Sequence, residues 1–388
     1  MARQTYAGPA ILSYGFRPFF LVAGAFAVLV VPLWLAVWAG RLQVAGPFAP
    51  VDWHAHEMIF GYVSAVLAGF LFTAVPNWTG RMPRQGAPLA VLVALWIAGR
   101  LAVAGVGALP AWAVMAIDAA FPLAVAAMIA VEIAAGRNWR NLKVLIPVSL
   151  FGAANIGFHL EAMARGSAEV SARAGLAVVV FLILLIGGRI VPSFTRNWLA
   201  KRGSGALPAP FGKYDAAALA GAALALGVWT AAPDGLAARA LLALAAILHA
   251  VRLMRWQGAR CLASPLLLML HVAYAFVPAG FAALAAGAAT AGTHLLGVGA
   301  IGGMTLAVMM RATMGHTGRA LVAGGTLATA FGVLVAAALI RSFAPYADLA
   351  GLSGLTLAAG LWAIAFAIFV GRVGPWLAAP DAARRTPN

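Results

Sequence analysis

The chain is 388 residues long, 64% of them hydrophobic and only 9% charged, with a mean hydropathy of +0.95. That balance excludes a water-soluble globular enzyme and calls for an all-α polytopic membrane protein. A formal charge of +16 would suggest nucleic acid for a soluble chain. Here it follows from lysine and arginine retained in cytoplasmic loops, so no nucleic-acid partner is expected.

Residues 1–16 contain neither an apolar core nor a small-residue cleavage site, so the first span is expected to act as the anchor. Apolar segments fall at about 17–40, 54–78, 88–108, 110–135, 142–162, 172–194, 214–232, 236–255, 264–286, 291–313, 319–341 and 350–372. Each is near the roughly 20 residues that a bilayer needs. The expectation is a single transmembrane domain over residues 1–388 with about twelve helices. With the amino terminus inside, most of the 26 Lys and Arg residues lie on the inner side, which sets both termini in the cytoplasm.

The second span opens on Asp52-Trp53-His54-Ala55-His56-Glu57-Met58. Ionisable groups inside a membrane are costly and mark functional sites. With Asp52 as N-cap, positions 54, 57, 58 and 61 share one helix face and His56 points roughly 200° away. The two imidazoles then serve different sites, unless an extended first turn lets them chelate one ion. Further along, Asp118 lies inside the fourth span, and His159 in the fifth has Asn155 one turn away as a hydrogen-bond partner. Arg189 lies within the sixth span, and the loop of about residues 195–213 reads as a linker. His249 lies near the inner end of the eighth span, with Arg252 close by. His271 lies near the inner start of the ninth, with Tyr274 close by. The tenth span holds His294, Met304, Met309, Met310 and Arg311, and His316 follows it with Met314. The lone cysteine, Cys261, rules out an intrachain disulfide and any thiolate cluster.

By helical rise the histidines form two layers. His54, His56, His159 and His294 lie with Glu57 near the outer face; His249 and His271 lie near the inner face, with His316 just below. Metal ligands must converge in space, hence in depth, and imidazole suits iron, copper and zinc. His54 or His56 therefore stands at matching depth with His294, and the family resemblances described below imply that such a pair shares a six-coordinate haem, His56 being slightly favoured. The other, with Glu57 and His159, is left for copper or for orienting its neighbour. Gly61 and Gly297 are expected to leave room for the macrocycle. His249 and His271 are expected to approach each other or share a ligand, capped by His316. Arg17, Arg100, Arg189 and Arg311 are candidates for haem propionates, because guanidinium matches carboxylate geometry. Spans two, six and ten each end in a polar, arginine-bearing stretch, an echo compatible with three four-helix units.

Twelve spans with outer-layer histidines on the second and tenth resemble, in architecture, the main subunit of haem–copper oxidases. The chain lacks that family's His-His pair and tyrosine-linked copper histidine. A closer resemblance lies in the motifs Gly15-Phe16-Arg17-Pro18-Phe19-Phe20, Trp53-His54-Ala55-His56-Glu57-Met58, Ala74-Val75-Pro76-Asn77-Trp78-Thr79-Gly80-Arg81, Gly187-Gly188-Arg189, Gly302-Gly303-Met304-Thr305 and Gly315-His316-Thr317-Gly318-Arg319. Over essentially the whole chain these look like the NnrS family. The resemblance implies a bacterial inner-membrane protein carrying haem b and copper, associated with denitrification and with tolerance of nitric oxide and nitrosative stress. Haem and nitric oxide are then its expected small-molecule partners, and no chemical activity is implied. The competing class is a secondary transporter or metal permease, for which Asp118, the interrupted helices and the thioether-rich tenth span would speak.

Overall fold

The computed structural model describes residues 6–382, apart from 204 and 350. A backbone surrounded by lipid must satisfy its own hydrogen bonds, so an apolar chain of this kind has helices as its unit. Among the described residues, eleven helices are long and apolar enough to cross a bilayer: α1 Phe16–Trp38, α2 Pro50–Thr79, α4 Ala111–Ala135, α5 Asn141–Arg165, α6 Glu169–Ala200, α7 Lys213–Ala231, α8 Leu236–Met254, α9 Pro265–Ala285, α10 Ala289–His316, α11 Gly324–Phe343 and α12 Gly354–Ala378. A shorter apolar helix, α3 Ala87–Val103, completes the expected set. It stops a turn early because Gly105 and Gly107, both at φ +88°, carry the chain away from the helix.

Two boundaries differ from expectation for local reasons. Helix α2 begins at Pro50, with Ala49 as N-cap, rather than at Asp52; proline at the first position has its φ already set and lacks only an N–H that has no partner there. Helix α6 continues through Thr195 and Arg196 to Ala200, so the linker is shorter than expected.

The α-helical ladder of α2 switches to π geometry over Glu57–Tyr62, and that of α10 over Leu295–Gly302. Each switch begins directly after a histidine-bearing turn. Single π turns of this kind concentrate at functional sites and leave carbonyls that need other donors. In α2 the Gly61 carbonyl accepts from Ser64 Oγ and from Trp96 Nε1, both at 2.9 Å. In α10 the Thr305 hydroxyl bonds the Ile301 and Gly302 carbonyls at 2.7 and 3.0 Å.

Contacts gather the chain into two compact units, not three sets of four helices. The first holds the described residues up to Gly175 together with Thr313–Arg319 and those from Val370 onward; the second holds Leu176–Ala312 and Ala320–Phe369. In the first unit Gly69 lets α2 close on α1, where a Cβ would lie 2.7 Å from the Phe20 ring. In the second, Gly299 and Gly303 bring α10 against α9, with Cβ positions 2.4 Å from Phe276 and 3.1 Å from Ala273. These small residues do what membrane helix interfaces ask of them, admitting close backbone approach.

Candidate metal centre

Four helices of the first unit each supply polar side chains to one buried cluster. Helix α2 contributes His56 and Glu57, α3 Arg100, α4 Asp118, and α5 Asn155 and His159. His56, Glu57, Asp118, Asn155 and His159 are all at most 2% exposed. Asp118 is the hub. Its Oδ2 faces His56 Nε2 at 3.1 Å and His159 Nε2 at 3.0 Å, and accepts from Asn155 Nδ2 at 2.7 Å. Its Oδ1 accepts from the Arg100 guanidinium, whose other branch reaches Glu57 Oε1 at 2.5 Å. Glu57 Oε1 also meets His56 Nδ1 at 3.0 Å.

Glycines make the room. A Cβ at Gly61 would sit 2.7 Å from the Arg100 guanidinium and 2.9 Å from the Glu57 carboxylate; one at Gly99 would sit 3.0 Å from Asp118 Oδ1. Gly61 therefore seats this ion pair, and the space expected beside it for a macrocycle is filled. Phenylalanines surround the imidazoles: Phe48 lies 4.8 Å from the His56 ring and 4.9 Å from the His159 ring, and Phe158 lies 5.1 Å from His56. In so apolar a setting the charges are weakly screened and their pairing strongly felt.

His56, His159 and Asp118 each offer one ligand atom, all within 4.8 Å of one another. Two imidazoles and one carboxylate suit iron, copper or zinc. Asn155 Oδ1 is buried without a hydrogen-bond partner, so the polar set is not closed on itself. The residues present therefore fit a transition-metal ion.

A family sequence model described as "NnrS protein" matches residues 10–380. The chain belongs to the NnrS family. No curated protein matches it. As a member of that family with helices of this length and hydropathy, it is a multi-pass membrane protein associated with the nitric-oxide response.

Several motifs of this NnrS protein have structural duties. In the first unit, a cavity of about 510 Å³ is lined by Tyr14, by Phe16 and Arg17 from one motif, Asn77 and Arg81 from another, and His316 from a third. The His316 ring stacks on Tyr14 at 5.8 Å and lies tilted to Phe16 at 5.5 Å. In the second unit, Gly188 of the Gly187-Gly188-Arg189 motif leaves the place where its Cβ would stand to the Arg252 guanidinium, which donates to the Leu184 carbonyl at 2.9 Å.

The other predicted site residues divide by what they touch. His54 does not join His56: its ring lies on Trp34, centroids 4.3 Å apart. The expected divergence of the pair holds, but His56 is the member committed to the carboxylates, which reverses the preference for it as an iron ligand. His249 has both ring nitrogens engaged, with Tyr274 at 2.8 Å and the Ala218 carbonyl at 3.1 Å, leaving no lone pair for a metal. His271 bonds the Thr195 hydroxyl at 2.9 Å instead of a ligand shared with His249. Arg17 caps the end of α12 through the Leu377 and Ala379 carbonyls at 2.8 and 2.6 Å and pairs with Asp381 at 2.5 Å. Arg17 and Arg100 thus spend their guanidinium groups inside the protein rather than on propionates. Arg311 lies over the Phe194 ring at 4.1 Å, and Arg189 is exposed. His294 directs Nδ1 to the Thr290 carbonyl at 2.7 Å. A carbonyl only accepts, so Nδ1 carries the hydrogen and Nε2 presents its lone pair, the arrangement of a metal-bound imidazole. Gly297, one turn on, has nothing within 4 Å of its Cβ position. Met304, Met309, Met310 and Met314 are buried as packing residues.

Sequence reading missed Asp118 as the hub of the cluster, assigning it to transport, and missed Arg100 as its partner. Depth held the signal: Asp118 lies about two turns into α4 from its N-terminal end, and His159 about two turns before the C-terminal end of α5, which runs the other way.

Proposed function

We propose that the cluster is a metal centre, copper in the first instance, held by His56, His159 and Asp118 in a membrane protein of the nitric-oxide response. The observation that carries this is the convergence of those three ligand atoms within 4.8 Å beside an unpaired Asn155 Oδ1. Charge permits it. Glu57 and Asp118 bring two negative charges, which Arg100 and the His56 ring, with both nitrogens facing carboxylate oxygens, balance; a bound cation would take the place of the proton on His56 Nε2. When bound, the metal would supply a site for a small ligand such as nitric oxide. Glu57 orients His56 through Nδ1, Asn155 and Arg100 hold Asp118 in place, and the phenylalanines exclude water. Haem b is a second proposed cofactor, which His294 of the second unit would hold through Nε2, with Arg189 and Arg311 as the arginines with donors to offer propionates.

Elemental analysis and optical spectra of the purified protein test both parts. We expect stoichiometric copper in the wild type and its loss in His159→Ala with any Soret band kept. His294→Ala should change or remove the Soret band and keep the copper. A full-length protein without metal under copper-replete expression would reduce the cluster to a structural ion pair. Placement in the bacterial inner membrane with both termini cytoplasmic is likewise proposed, on the lysine and arginine bias. A reporter after Asn388 should be active only in the cytoplasm, and periplasmic activity would reverse the orientation.

A further inference from the structure

Helices α7, α8 and α9 of the second unit enclose another buried polar group that the metal reading does not use. Tyr274 on α9 and His249 on α8 are both 0% exposed, and the phenolic oxygen lies 2.8 Å from His249 Nδ1. His249 Nε2 lies 3.1 Å from the Ala218 carbonyl. Since the carbonyl only accepts, Nε2 carries the hydrogen and Nδ1 of the neutral ring is an acceptor. Arg252 has donors only, and its NH1 gives a hydrogen bond to the same phenolic oxygen at 3.1 Å. The direction of the chain is thereby set: the Tyr274 hydroxyl donates to His249. Asp215 at 2.9 Å neutralises Arg252, so the group as a whole starts without net charge. The Trp256 ring stands edge-on to Tyr274, centroids 4.5 Å apart.

We propose that Tyr274 and His249 form a proton-coupled redox pair, in which Tyr274 gives one electron to a small uncharged one-electron oxidant of the nitrogen dioxide class as its phenolic proton moves to His249 Nδ1. The phenolic O–H bond breaks and an N–H bond forms on the imidazole. Tyrosine becomes the neutral phenoxyl radical, histidine becomes imidazolium, and nitrogen dioxide becomes nitrite. Without a base in place, oxidation would leave a phenol radical cation, a far stronger acid than imidazolium; the positive charge is the same in either case, but it rests much more stably on His249. The hydrogen bond to His249 removes that barrier, as a positioned base does for any reacting proton. Full burial within apolar helices selects an oxidant that is small and uncharged. Tyr214, in the same unit, supplies the contrast: its hydroxyl donates to the Leu248 carbonyl at 2.7 Å, which cannot take a proton. Tyr346 supplies another, being 88% exposed yet outside any such pair.

The test exposes the full-length protein in lipid nanodiscs to radiolytically generated nitrogen dioxide and maps 3-nitrotyrosine by mass spectrometry. That product forms when a second nitrogen dioxide combines with the phenoxyl radical and the ring loses its proton. Tyr274 should carry more label than Tyr214 and more than the exposed Tyr346. His249→Gln, which keeps a polar group but removes the base, should lower label at Tyr274 by about a hundredfold and leave Tyr346 unchanged. Wild-type label that follows exposure, with Tyr346 foremost, would overturn the proposal without any variant. Undiminished label at Tyr274 in folded His249→Gln would also overturn it.

Discussion

Replacing Asp118 with asparagine is expected to abolish metal binding and to destabilise the protein by about 3–5 kcal/mol, the cost of breaking a buried ion pair from one side. The change keeps the shape and removes the charge. Asp118 now receives His56, His159, Asn155 and Arg100 at once. An amide in its place has one oxygen to accept with and an NH2 group that must face at least one of those donors. Arg100 would keep Glu57 as its only carboxylate partner. Metal content and the onset temperature of unfolding should therefore both fall. Wild-type metal content in the Asp118→Asn protein would remove Asp118 from the ligand set, whatever happened to stability.

Replacing Arg100 with alanine is expected to give the opposite pattern for metal and a similar loss of stability, about 3–5 kcal/mol in the metal-free protein. Glu57 and Asp118 would face each other's neighbourhood without the guanidinium that bridges them, while His56, His159 and Asp118 all remain. A bound cation would then supply the positive charge that was removed, so added copper should raise the unfolding temperature more in Arg100→Ala than in the wild type, as ligand binding to the folded state requires. Arg100→Lys should recover only part of the loss, because an ammonium is a point charge and cannot span two carboxylates as the planar fork does. An Arg100→Ala protein whose stability ignores copper would place Arg100 outside the electrostatics of the centre.

These two predictions depend on contacts that were only partly legible beforehand. The class of fold, the number of helices and the common depth of His56, Glu57 and His159 follow from apolar run lengths and the fixed rise of a helix, both local properties. So does the divergence of His54 from His56, since neighbouring side chains two apart on a helix cannot face one way. Asp118 and Arg100 were visible as costly residues in apolar spans, but their partners were not. A buried charge announces that a partner exists without saying which helix provides it.

His249 shows the same boundary from the other side. By sequence it is an inner-layer imidazole equal to any other candidate ligand; only packing puts the Tyr274 hydroxyl on one ring nitrogen and the Ala218 carbonyl on the other. Arg17 likewise reads as a free cation near the start of α1, whereas the fold brings residues some 360 positions away to take up its hydrogen bonds. Sequence by itself determined the spans, the depths and which side chains are too polar to be idle, because periodicity and hydropathy act within a single helix. Tertiary structure alone decided which polar groups meet, because helix packing in a membrane is set by small residues, such as Gly61, Gly99 and Gly188, and by hydrogen bonds between side chains far apart in the chain.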